Sequence, residues 1–130
     1  MKTFSISDIG KRREMNQDYM YTSENAVGNL PNLFIVADGM GGHKAGEYAS
    51  RYTVESIVES IEKDERTEPV EVIEHAICKA NEELIKKAAG DEAMSGMGTT
   101  VVVVTVIGER HGLPMLVTAE CMLSAKRSNR

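Results

Sequence analysis

Cysteine is scarce in this 130-residue chain. Cys78 and Cys121 stand 43 residues apart, with no C-x-x-C pair and no histidine at zinc-finger spacing. That excludes a disulfide framework and a structural zinc knot, and makes a reduced, cytoplasmic protein the expected setting. Long apolar runs are missing too. The longest, "TVVVVTVIG" at residues 100–108, is far shorter than the roughly 20 residues a membrane-crossing helix needs. The first residues turn polar within "MKTFSISDIGKRRE" and offer no signal-peptide core. Positive charge is also in short supply: fifteen Lys and Arg against twenty Asp and Glu leave a net charge of −5. Without a basic face, general binding to nucleic acid is not expected.

What remains is an ordinary globular composition, 42% hydrophobic and 27% charged, with length for one compact domain. Residues 3–8 alternate loosely as a short strand. "DYMYTS" at 18–23 is β-prone, and the unbroken apolar run at 33–37 reads as a buried strand. The loop between them carries glycine, proline and asparagines, so the two strands form a hairpin. From Ala45 the period changes to helical: Val54, Ile57, Val58 and Ile61 share a face, which places a helix over 45–63. Pro69 suits the first turn of a second helix over 69–89, with Ile73, Ala76, Ile77, Ala80 and Leu84 as its stripe. Valine-rich strands follow at 99–107 and 113–119. The order of strands, two helices and strands predicts an α/β (α+β) fold, mostly antiparallel, with the helices on one face of a sheet. Residues 1–119 form the domain in this reading, and 120–130 a frayed tail.

Chemistry concentrates in "FIVADGMGGHKAGEYAS", residues 34–50, where an apolar run meets an acid and then several glycines. If the hairpin folds about its midpoint near Gly28, Asp18 and Asp38 face each other. Like charges on paired strands repel, so the arrangement makes sense around a cation. Magnesium and manganese prefer such hard oxygen donors. Gly39 has no side chain to block its own carbonyl, and Asp38 at a strand end projects past the sheet. A plain flexible turn at "DGMGG", or a phosphate cradle at the following helix, are the competing readings. The stretch lacks the lysine and spacing of a Walker loop.

Three stretches in order, "GKRREMNQD" (10–18), "FIVADGMGGHKAGEYAS" (34–50) and "SGMGTTVVV" (95–103), resemble the N-terminal motifs of the type 2C metal-dependent protein serine/threonine phosphatases, bacterial branch. The resemblance implies an α-β-β-α sandwich of two antiparallel sheets with outer helices, of which this chain holds part. It implies two manganese or magnesium ions, with Asp38 bridging them, Gly39 lending its carbonyl and Asp18 at the edge of the site. Arg13 matches the arginine that holds the substrate phosphate, a task that suits the guanidinium fork. The implied activity is hydrolysis of phosphoserine and phosphothreonine in proteins, by water activated between the ions. Phosphorylated proteins, substrates of a serine/threonine kinase, are then the partners.

The chain also departs from the family pattern. The histidine that animal members carry after Asp-Gly is replaced by Met40, and His43, three residues on, does not inherit its role. Ser95, Thr99 and Thr100 read as turn and strand residues, for no histidine–acid pair is placed to activate them. The family's "GDSR"-like turn is absent after residue 119, where "ECMLSAKRSNR" stands instead. The expectation is therefore the first half of such an enzyme, weakly active or inactive alone; robust turnover would instead mean that acids such as Glu47 or Glu120 had replaced the missing ligands. The alternative is a non-catalytic fragment that binds phosphoproteins through Arg13.

Overall fold

The hairpin is the starting point of the architecture. In a computed structural model, which describes residues 18–40, 45–89 and 96–124, strand β1 (Asp18–Ser23) pairs antiparallel with β2 (Leu33–Met40). Its register is symmetric about position 28, with Ser23 opposite Leu33 and Asp18 opposite Asp38. Helix α1 (Ala45–Lys63) and helix α2 (Pro69–Ala88) follow, then β3 (Gly98–Arg110) and β4 (Leu113–Ser124). The four strands form one antiparallel sheet in the order β1-β2-β3-β4. The expected strand at 3–8 lies outside the described residues, as does Arg13.

Alternation sorts each strand into two faces. Leu33, Ile35 and Ala37 of β2, Val101 and Val103 of β3, and Leu123 of β4 are buried under the helices. The helices meet them with the stripes their periodicity announces, among them Val54, Ile57 and Ile61 of α1 and Ile73, Ala80 and Leu84 of α2. Helix α1 lies over β2 and β3, whereas α2 lies against α1 and over β4. Pro69 opens α2 where no backbone donor is needed, and the helix ends when Ala89 turns extended, its N–H still bonded to the Ile85 carbonyl at 3.1 Å.

Between the helices a small clamp holds the connection. Asp64 accepts from the Arg66 backbone N–H at 2.9 Å and from its guanidinium at 3.0 Å. That backbone bond, with the nearby cation, keeps the Asp64 carboxyl below its usual range. Asn29, from the β1–β2 loop, donates to the Arg66 carbonyl at 2.9 Å and ties hairpin to helices.

Two strand ends differ from the sequence expectation. Strand β2 runs past residue 37 to Met40, because Gly39 and Met40 continue the ladder opposite Thr99 and Gly98. Strand β4 runs past residue 119 to Ser124, so residues 120–124 are strand rather than tail. Its partners there are Gly98 to Val102 of β3. The helical side supports this extension: Leu123 is 1% exposed, and the Asn81 side-chain oxygen accepts from the Ser124 N–H at 3.3 Å.

Candidate metal centre

The second face of the sheet carries no helix among the described residues. Up to the bulge at Val106/Gly108, its rows run Thr22–Phe34–Val104–Thr118, Met20–Val36–Val102–Glu120 and Asp18–Asp38–Thr100–Met122. The upper rows are largely apolar, and Val36 is 47% and Met122 59% exposed. Acids occupy the third row. Asp18 is half-buried at the edge and Asp38 is exposed one strand in, with Thr100 on its far side. No Lys, Arg or His stands on these rows of described residues.

Asp38 thus lies inside its strand and points off the open face, rather than projecting beyond the sheet's end as the sequence suggested. The cause is Gly39, which β3 accepts into the ladder opposite Thr99, so pairing does not stop at the acid. Gly39 itself is buried. Gly41, Gly42 and His43 lie outside the described residues. Glu47 is exposed in the first turn of α1, where its charge suits the helix dipole. Glu120 is on the open face, but two strands and one row away from Asp38. Among the described residues, no cluster of three His, Cys, Asp or Glu is arranged to hold a metal ion.

The donors present suit a hard divalent cation. Two carboxylates and a glycine carbonyl are oxygen ligands of the kind magnesium and manganese select. Cross-strand neighbours have Cβ atoms roughly 4.5–5.5 Å apart, close enough for both acids to reach one ion. A concavity of about 740 Å³ lies between the outer sides of α1 and α2 and is lined by groups such as Glu59, Lys63, His75 and Glu83. Neither Asp18 nor Asp38 reaches it. Tyr52 sits there with its hydroxyl 3.3 Å from Glu83; burial first, and then that carboxylate, push the phenol's pKa up.

A family model described as protein phosphatase 2C matches residues 10–118. The chain belongs to the protein phosphatase 2C family. Protein phosphatase PhpP of Streptococcus pneumoniae is 36% identical over 110 residues, which are 82% of this chain and 44% of that protein. Serine/threonine protein phosphatase PstP of Mycobacterium tuberculosis is 29% identical over 107 residues, 82% of this chain and 20% of that one. Among solved structures, the PstP catalytic domain in complex with two manganese ions superposes with a TM-score of 0.65 at 28% identity, over 79% of this chain and 42% of that one. The Streptococcus agalactiae serine/threonine phosphatase gives 0.62 at 36% identity, over 79% and 43%. The chain therefore spans less than half the length of each of these four proteins. Its α+β architecture, an antiparallel sheet with two helices, is that of these 2C relatives.

Sequence reasoning found the facing acid pair and read Thr100 as a strand residue, as the structure has it; register sets it beside Asp38 in β3.

Proposed function

We propose that this chain supplies the N-terminal half of a metal-dependent protein phosphatase that hydrolyses phosphoserine and phosphothreonine in proteins. The observation that carries the reading is the cross-strand pairing of Asp18 with Asp38 on the open face of the sheet. Family membership adds to it, as do the two manganese ions of the PstP structure. Asp38 would be the principal ligand, Asp18 the second, and the Gly39 carbonyl the third donor, for manganese or magnesium. Such ions make water nucleophilic near neutral pH and offset charge on phosphoryl oxygens. Arg13, assigned from its motif alone, would hold the substrate phosphate with its forked donors.

The chain's own groups set the expected behaviour. Two carboxylates cannot compensate two closely held divalent cations, so one ion should bind, weakly, with water in its remaining positions. Turnover by the 130 residues alone should be slight. The test is manganese-dependent release of phosphate from a phosphoserine peptide, by this chain and by a chain completed with the missing half of a relative. The completed enzyme should be active and should lose activity with Asp38→Asn. Retention of near-normal activity in that variant would refute the metal assignment.

A further inference from the structure

On the open face of the sheet the apolar side chains are contiguous. Phe34 and Val36 of β2 stand beside Val104 and Val102 of β3, and Leu116 of β4 continues the patch opposite Val106. Val36 is 47% and Leu116 54% exposed, and both described helices pack on the other side of the sheet. Contiguous apolar surface of more than a few hundred Å2 marks a docking site rather than ordinary exterior. Up to the bulge, the described face carries charge at only three positions. Asp18 and Asp38 share the row toward one end, and Glu120 is on the outermost strand. The rows between that end and the bulge therefore present an apolar, nearly flat surface four strands wide.

We propose that this face joins two copies of the chain, packed sheet on sheet about a two-fold axis. The natural cover for an antiparallel sheet is a second sheet about 10 Å away, with strands within roughly 30° of its own. A second copy brings such a sheet with the same apolar rows, and a two-fold axis closes the pair so that no third copy adds. Charge decides how the faces are offset, because carboxylates buried against apolar groups are costly. The axis therefore crosses the strands between the Phe34–Val104–Thr118 row and the Val106–Leu116 row. Val104 then meets the partner's Val106, Leu116 meets the partner's Thr118, and the two acid rows go to opposite ends, in water. Glu120, on the edge strand, turns outward. Four strands about 4.8 Å apart and roughly eight residues long cover about 500 Å2 per copy, or about 1,000 Å2 in all, the lower bound for a specific interface. A dissociation constant of roughly micromolar order is expected from a contact of that size. The pairing needs no metal and stands apart from the phosphatase reading.

The test is sedimentation velocity of the full 130-residue chain over a concentration series, with a chelator and a reductant present so that neither metal nor cysteine links the copies. A reversible monomer–dimer equilibrium is expected. Val36→Lys and Leu116→Lys should each weaken it at least about tenfold, since each places an unpaired charge in the contact. Val70→Lys, the same kind of change at a 42% exposed position of α2, should leave it as it was. Hydroxyl-radical footprinting of the unaltered chain supplies a readout that no folding defect can confuse. Raising the concentration should protect Phe34 and Leu116, while Met122, in the acid row, stays as reactive as in the monomer. A chain that remains monomeric at its highest soluble concentration would overturn the proposal, as would species that grow beyond the dimer. A dimer that survives both face variants, or that Val70→Lys disrupts equally, would place the contact elsewhere. Protection of Met122 equal to that of Leu116 would refute the offset and with it this arrangement of the two sheets.

Discussion

Gly28→Ala should be among the most damaging single-methyl additions this fold can receive. Val27 and Leu30 exchange backbone hydrogen bonds of 2.9 and 3.0 Å across Gly28 and Asn29, with Gly28 at φ +57°. That is the glycine-first pattern of type II′ turns. An alanine there carries a left-handed penalty of roughly 1–2 kcal/mol. Its Cβ would also fall 2.1 Å from the carbonyl oxygen of Ile61 and 3.2 Å from the Glu62 Cα. Both are backbone atoms of α1, so no side-chain rotation relieves the clash and the loop must move off the helix. Overpacking of this kind costs a further 1–3 kcal/mol, roughly, and the total of about 2–5 kcal/mol is a large share of a small domain's stability. Gly112→Ala separates the two contributions. Gly112 is at φ +79° but has open space where its Cβ would go, so only the backbone penalty applies. Urea unfolding of both variants should show a clearly lower midpoint for Gly28→Ala, with similar m-values. Equal midpoints would mean that the contact with α1 is soft, and the steric argument would be wrong.

Asn32→Ala should destabilise by about 2–3 kcal/mol, read by the same unfolding assay, because it strips partners from several groups at once. The Asn32 amide accepts from the Val106 N–H at 2.7 Å, donates to the Val106 carbonyl at 2.9 Å and contacts the Thr105 hydroxyl at 3.2 Å. Thr53→Val should have the opposite sign. Thr53 is fully buried in α1 and its Oγ1 makes no hydrogen bond, so an isosteric apolar replacement should raise the midpoint by about 1 kcal/mol equivalent, and a lowered midpoint would show that the hydroxyl has a partner.

Much of the fold was legible because its signals are local and periodic. The start of α1 at Ala45 and of α2 at Pro69 follow from a change of period and a proline, and the observed helices begin at those residues. The hairpin register was legible for a different reason. A glycine-bearing turn midway between two strands leaves few symmetric pairings, and Asp18 opposite Asp38 is the one adopted. The strand ends were not legible. Gly39 and the residues after Ala119 have poor or mixed strand propensity, and what keeps them in the sheet is a partner strand distant in sequence. That Asp18 and Asp38 face each other could be read from sequence, whereas the direction of Asp38 off the open face depends on that long-range pairing.

Register also joins the stability of the hairpin to its chemistry. Side chains alternate faces along a strand, so a one-residue slip of β1 against β2 would turn every β1 residue to the other face. Tyr19 and Tyr21, which pack against the core, would move to the open face, and Asp18 would be driven toward the helices. Burying that carboxylate without a cation is costly, and exposing both tyrosines forfeits core contacts, so two independent penalties oppose the slip. The turn at Gly28 opposes it as well, for only a residue without Cβ fits against Ile61, and the chain places such a residue at the position midway between Asp18 and Asp38. The glycine that seats the loop on α1 therefore also determines which two carboxylates meet, and a variant that loosens the loop should weaken manganese binding without touching either acid.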